Sequence, residues 1–253
     1  MQIQLIRNAT MKFSYAGQTI LTDPMLSAKG EFRSFAGIAP NPTVDLPIPV
    51  ETILQNVSLT LISHLHPDHF DDAAALHLAK NMAGFCKPED LTALQEKGFT
   101  NIAAIDTSQS WQGITLTRIG GWHGSGKILE RLGNIAGFVL RAAGEPTVYW
   151  VGDSIGCREV AEAIATHTPD IIITHSGGAT LPGYDPIIMD TAQTLLTCAA
   201  APKAVVVAVH MEALDHCTVS RSILRDSAEN AGINPLRLFI PNDGDTLTFS
   251  GTL

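Results

Sequence analysis

Leu59-Thr60-Leu61-Ile62-Ser63-His64-Leu65-His66-Pro67-Asp68-His69 is the stretch on which the reading of this chain turns. An apolar run of strand length leads directly into three imidazoles and one carboxylate within six positions. A buried strand is a rigid mount for the loop that follows it, so side chains there can be aimed. Imidazole together with carboxylate suits Zn, Mn or Fe. One ion cannot easily use four side chains from so short a turn. Two neighbouring ions can, with alternate side chains pointing to different ions. A polar loop of hydrogen-bonded histidines is the bland reading, and it suits a lone histidine better than this cluster.

A catalytic ion needs about three protein ligands and an open position, so further donors must come from elsewhere in the chain. His123 sits in Gly120-Gly121-Trp122-His123-Gly124, Asp153 follows Val148-Tyr149-Trp150-Val151-Gly152, and His210 follows Val205-Val206-Val207-Ala208-Val209. Each is a single coordinating side chain at the exit of an apolar strand. Taken alone, each reads equally as a capping or core-edge residue. Together they complete a two-metal set.

The rest of the chain supports a layered α/β protein. Ile3, Leu5, Met11, Phe13, Tyr15 and Ile20 have strand spacing, with Ala16-Gly17-Gln18 as a turn. Residues 27–49 are aperiodic and rich in Pro and Gly, a long loop of the kind that serves as a lid. A helix is expected near Asp71, a strand over 82–85, a helix over 88–97 and a strand over 102–105. Strands follow over 114–119, 136–142, 147–151, 170–174 and 204–209, and helices over 159–166, after a capping Asp190, and over 219–230. Strands over 236–240 and 246–249 close the chain. No Gly/Ser linker, charge block or tandem repeat divides it, so one domain over 1–253 is expected. Strands followed by alternating strand and helix in each half fit two packed sheets with helices outside.

With 45% hydrophobic residues and 16% charged residues the chain can bury a core, which excludes disorder. No apolar run reaches membrane-spanning length, and Met1 to Arg7 lacks a secretory pattern, so a cytoplasmic protein with no membrane partner is expected. A formal charge of −9 opposes a broad nucleic-acid surface. Cys86, Cys157, Cys198 and Cys217 form no CxxC pair, and reduced thiols are expected. The oligomeric state is not legible, and a homo-oligomer is compatible with the sequence.

In this ordered set of residues the chain resembles the metallo-β-lactamase superfamily. The matching pieces are Asp23 in Leu21-Thr22-Asp23-Pro24, His64, His66, Asp68 and His69, then His123, Asp153 in Gly152-Asp153-Ser154, and His210. The short opening strands and Val209-His210-Met211-Glu212 look most like the branch that includes ascorbate-6-phosphate lactonase. The resemblance implies a four-layer αββα sandwich with two divalent metal ions where the sheets meet, zinc foremost, manganese or iron next. His64, His66 and His123 would bind the first ion, Asp68, His69 and His210 the second, and Asp153 would bridge them. Asp23 would fix a ligand ring from behind. A metal-bound hydroxide would then cleave a small-molecule ester, lactone or phosphodiester, with Asp68 holding or shuttling the proton. On the same fold, a di-iron redox protein and a nucleic-acid processing hydrolase are the alternatives. The latter lacks a basic groove here, and the former an appended electron-transfer domain.

Other residues carry weaker signals. His216 is a proton donor or substrate contact on one reading and a helix-cap histidine on the other. His175 is expected near the site but not as a ligand. His77 and His167 are expected at the surface or the core edge. Trp122 is either a pocket wall or a core residue. Lys29, Arg33, Lys127 and Arg131 fall in loops where they would meet an anionic substrate or simply face solvent. Gly177, Gly178 and Gly183 suit a tight loop near the site, and turn roles suffice for Ser63 and Ser154.

Overall fold

Two seven-stranded sheets face each other. The first contains β1 (Gln2–Arg7), β2 (Thr10–Tyr15), β3 (Gln18–Thr22), β4 (Leu59–Leu61), β5 (Gly84–Cys86) and β6 (Ile102–Ala104). The second contains β7 (Ser108–Trp111), β8 (Ile114–Ile119), β9 (Gly137–Ala142), β10 (Val148–Trp150), β11 (Ile171–His175), β12 (Val205–Val209) and β13 (Leu238–Phe239). β14 (Thr246–Thr248) returns to pair with β1. The computed structural model describes residues 1–249, so positions 250–253 of the expected unit lie outside the described residues.

Both sheets follow one plan. Pairing is antiparallel along β14-β1-β2-β3 and along β7-β8-β9-β10, and parallel along β3-β4-β5-β6 and β10-β11-β12-β13. Strand side chains alternate with a period of two, so each sheet has an inner and an outer face. Val148 and Trp150, Ile171 and Ile173, and Val207 and Val209 join Phe13, Tyr15 and Leu61 in the core between the sheets. Tyr149, Ile172 and Val206 point outward. They pack with α5 (Arg158–His167), α6 (Thr191–Ala200) and α7 (Arg221–Asn230). On the other outer face Ile6 and Leu21 meet α1 (Val50–Leu54), α2 (Asp72–His77) and α3 (Leu91–Glu96). This is the αββα order that the resemblance implies. The helices start where side chains satisfy free N–H groups: Asp71 accepts from Ala74 N, Asp190 from Gln193 N and Ser220 from Ile223 N. Among the described residues no helix is long and apolar enough to cross a membrane.

Three elements were not expected. β7 is an edge strand of exposed polar residues without alternation, and α1 and α4 (Ile128–Leu132) are five-residue helices burying only Ile53 and Ile128. β5 lies two residues C-terminal of its expected start, because Gly84 and Cys86 carry the pairing but not the apolar pattern. The ends of β3, β4, β10, β11 and β12 deliver Asp23, the 64–69 loop, Asp153, His175 and His210. Carboxyl ends of parallel strands are the usual place for a site in such sheets.

Candidate metal centre

His64, His66 and His123 bring one ring nitrogen each within 4.8 Å of one another. Their tautomers are set from behind. His123 Nδ1 donates to Ile187 O at 2.9 Å, which leaves its Nε2 lone pair facing the cluster. Ser63 Oγ gives its own proton to Asp23 Oδ2 at 2.5 Å, so it accepts from His64 Nδ1 at 2.9 Å. His64 Nε2 therefore also faces inward. His66 instead turns Nδ1 inward, 2.9 Å from His64 Nε2.

A second group gathers His69, Asp153, His175 and His210. Asp68 Oδ2 lies 3.5 Å from His69 Nε2 and 3.3 Å from His210 Nε2. His69 Nδ1 donates to Asp23 Oδ2 at 2.6 Å, and Ser63 N holds the other Asp23 oxygen at 2.7 Å. Asp23 is fully buried, so it acts on the site through His69 and Ser63 rather than by meeting substrate. His210 sits in the left-handed region at φ 59°, its N–H donating to Asn8 O, while Asn8 Nδ2 donates to Asp68 O. Asn8 thus ties the two loops together. Nothing in its local sequence marks it.

Asp153 stands between the groups. Its Oδ2 is 3.0 Å from His69 Nε2, 3.5 Å from His123 Nε2 and 4.0 Å from His64 Nε2, and its Oδ1 is 3.6 Å from His210 Nε2. Gly152, at φ 72° and 2.8 Å from Ala136 O at its would-be Cβ, makes the turn that presents it. The charges split by group. Burial lowers His64 and His66 below the ordinary imidazole value and His123 to about 4, so these rings are neutral and bear lone pairs. Burial also acts to lower His69 and His210. Asp153 outweighs it, with Asp68 adding to the effect, and raises His69 to about 10 and His210 well above the ordinary value. Asp68 and Asp153, although buried, are held ionised by His69 and His210. His210 Nε2 is buried and aims into the cluster, 3.3 Å from Asp68 Oδ2 and 3.6 Å from Asp153 Oδ1 but without a well-aligned hydrogen bond to either. An orphaned ring nitrogen beside converging imidazole and carboxylate donors fits divalent cations.

Above the cluster lies a cavity of about 520 Å³, floored by His66, Asp68, His123 and Asp153. Phe32, Phe35, Leu132, Leu181 and Ile187 wall it, and Arg33, Arg131 and His216 also face it. All seven expected ligand positions therefore converge. His216 is buried with Nδ1 unpartnered, and α7 is capped by Ser220, so the helix-cap reading of His216 is wrong. Trp122 is 43% exposed and belongs neither to the core nor to the cavity wall; its backbone N–H donates to Ser154 Oγ. Lys29 and Lys127 do not line the cavity. Arg33 and Arg131 do, against their default reading as plain surface charge. The chain's four cysteines are free.

The 27–49 loop forms one wall of the cavity and is fastened by Asp215. Asp215 accepts hydrogen bonds from Ser34 Oγ, Phe35 N at 2.9 Å, Ile38 N at 3.1 Å and Asn41 Nδ2 at 2.8 Å. Phe35 in turn packs edge-on against His216, with ring centroids 5.1 Å apart. Burial acts to raise the Asp215 carboxyl, but these donors hold it below its ordinary 3.8. A carboxylate with a lowered folded-state pKa stabilises fully above the ordinary value and loses that contribution as pH falls below it. Asp215→Asn sets an amide N–H against backbone donors and should cost about 2 kcal/mol. We expect its melting point at pH 7 to drop by roughly 4–8 °C. The gap from the native protein should narrow as melts are taken below pH 3.8, and a gap independent of pH would refute the charge-assisted clamp.

Comparison with known proteins agrees with this geometry. Residues 18–211 match the family model described as the beta-lactamase superfamily domain. The chain is 34% identical to the UPF0173 protein YddR of Bacillus subtilis over 98% of this chain and all of that one. A UPF0173 metal-dependent hydrolase of Xanthobacter autotrophicus is 27% identical over 70% of this chain and 72% of its own length. Among solved structures, the isothiocyanate hydrolase from Delia radicum gut bacteria superposes with a TM-score of 0.94 at 35% identity, covering 99% of this chain and 100% of that chain. A possible metal-dependent hydrolase from Veillonella parvula gives 0.95 at 33%, covering 98% and 99%. The chain belongs to the beta-lactamase superfamily and, within it, to the UPF0173 metal-dependent hydrolases.

Proposed function

We propose that this protein is a dinuclear hydrolase of small molecules. His64, His66 and His123 would hold one divalent ion, Asp68, His69 and His210 a second, and Asp153 would bridge them. The observation behind this is that one oxygen, Asp153 Oδ2, faces His69 of one group and His123 of the other at 3.0 and 3.5 Å. Zinc is the first candidate, with manganese or iron compatible with the same donors. When bound, such ions supply Lewis acidity that polarises the substrate and brings the pKa of a water toward neutrality.

The chain's own residues do the rest. Asp23 and Ser63 keep His69 and His64 in the required tautomers. The Phe32, Phe35, Leu132, Leu181 and Ile187 wall gives an apolar substrate body a surface to lie against over the floor. The 35%-identical isothiocyanate hydrolase supports an isothiocyanate as first substrate. In its hydrolysis the oxygen of water bonds to the central carbon, the C–N bond breaks, and amine and carbonyl sulfide leave. Both protons of the water end on the amine nitrogen. His216 is neutral, its pKa lowered by burial; it lines the cavity, and its Nδ1 is buried without a partner. It is placed to take one of those protons and pass it to nitrogen, and Asp68 is the alternative carrier. Arg33 and Arg131 favour a second reading, an ester, lactone or phosphodiester with an anionic group. A small molecule, rather than nucleic acid or a membrane, is the proposed partner.

The test is elemental mass spectrometry on protein purified without added metal, followed by turnover of benzyl isothiocyanate, read as benzylamine released. Comparison substrates are a phosphorylated lactone and bis(4-nitrophenyl) phosphate. About two equivalents of zinc or manganese with amine release support the proposal. Turnover confined to the anionic substrates moves the assignment to the second reading, and two equivalents of iron favour redox chemistry. Protein that takes up no metal on reconstitution overturns the proposal.

A further inference from the structure

His175 lies within the same 4.8 Å group as His69, Asp153 and His210, so proximity alone makes it a candidate ligand. Hydrogen-bond polarity decides otherwise. Trp150 and His175 both point into the core between the sheets, from the ends of adjacent parallel strands. The Trp150 indole N–H lies 2.9 Å from His175 Nε2. An indole nitrogen can only donate, so Nε2 must carry the lone pair and the ring proton must reside on Nδ1. That Nδ1 lies 2.5 Å from Asp153 Oδ1 and donates to it. Both ring nitrogens are thereby engaged, and no lone pair is left to face an ion.

Taking the metal assignment of the proposed function as given, we infer that His175 is a positioning residue for Asp153. Trp150 locks it as the Nδ1–H tautomer, and it is not a ligand. The Trp150–His175 pair engages Oδ1, and Oδ2 is the oxygen that faces His69 and His123. A carboxylate between two groups of imidazoles could otherwise turn about its Cβ–Cγ bond and swing its plane away from them. A proton donor fixed in direction and tautomer holds that plane, because a partial turn of the carboxylate carries both oxygens away from the donor and loses the bond. All three residues are buried, with Trp150 and His175 fully so, and water does not compete for these contacts.

Two measurements test this. The first needs no variant: long-range proton–nitrogen NMR of the native protein, metal-free and zinc-loaded, reads the His175 tautomer. We expect Nδ1–H in both states. An Nε2–H tautomer, or a His175 nitrogen that shifts to a metal-bound position on loading, overturns the inference. The second compares His175→Leu with His175→Asn, whose amide nitrogen can stand where Nδ1 stood. Zinc retention is read by competition with a chromophoric chelator. His175→Leu should weaken retention about 10- to 100-fold, as losing an outer carboxylate partner does. His175→Asn should recover most of this, although it leaves the Trp150 N–H unpaired. Trp150→Phe should fall between the two and give a mixture of tautomers. Equal losses in the Leu and Asn variants would mark His175 as a ligand and refute the inference. Failure of the metal reading itself looks different: native protein takes up no ion, and the positioning role falls with it.

Discussion

Asp153→Ala is expected to lower turnover by at least about 10³-fold while leaving a folded protein that retains less than half of its metal. Among the described residues Asp153 meets five of the site's imidazoles: those of His64, His69, His123, His175 and His210 all lie within 4.0 Å of a carboxylate oxygen. Removing it deletes a donor shared by both groups. It also deletes the charge that holds His69 and His210 above their ordinary values. Metal ions contribute several kcal/mol to transition-state stabilisation, and roughly 4 kcal/mol corresponds to about 10³-fold in rate. His66→Ala is the informative comparison, because His66 belongs only to the group with His64 and His123 and should remove one equivalent of metal rather than disturb both. Metal content, kcat and circular dichroism on the two variants check this. An alanine variant at 153 that keeps a tenth of native turnover would sink the site.

Gly177→Ala should destabilise the fold by about 3 kcal/mol or more, because no small adjustment can absorb the added atom. A Cβ at Gly177 would lie 2.1 Å from the backbone carbonyl oxygen of His210 and 2.9 Å from Cys217 Sγ. The glycine is required by space rather than by backbone conformation. Here the chain leaving β11 crosses the turn that carries His210, with Ser176 N bonded to Val209 O and Val219 N to Gly177 O. Opening this crossing pushes His210 away from Asp68. A melting point lower by roughly 6–12 °C should thus be joined by loss of about one equivalent of metal. Gly120→Ala is the control, since nothing lies within 4 Å of its would-be Cβ and it should change stability by less than about 0.5 kcal/mol. Equal melts for the two alanine variants would refute the account.

How far these features were legible depends on how locally they are encoded. The 64–69 cluster is dense enough to read by eye, and Asp153 and His210 are conspicuous because unbroken apolar strands lead into them. The sandwich follows from alternation that repeats in both halves. What escaped reading depends on partners far apart in sequence. Asp215 meets Ser34 across 181 positions, and Asn8 reaches Asp68 across 60. That His175 serves Asp153 follows only from the parallel register that sets Trp150 beside Ile173, two residues before the histidine. Trp122 misled because aromatic residues are usually buried at least in part, whereas here the backbone N–H is what the neighbouring loop uses. β7 left no mark because an exposed edge strand needs no apolar face.

The 27–49 segment is fastened largely by side chains that do not meet the cavity, and Ser34 is the residue that does both. Arg7 donates to the carbonyls of Met25, Ser27 and Val44, Asp71 accepts from Ser27 N, and Asp215 gathers the tip. None of these three fasteners lines the cavity, whereas Phe32, Arg33 and Phe35 do. Exchange at those three positions leaves every anchor in place and does not disturb the histidine floor. The segment is therefore an interchangeable panel on a fixed frame. Point changes in it alter the surface that the cavity offers a bound molecule and leave the histidine floor beneath as it is.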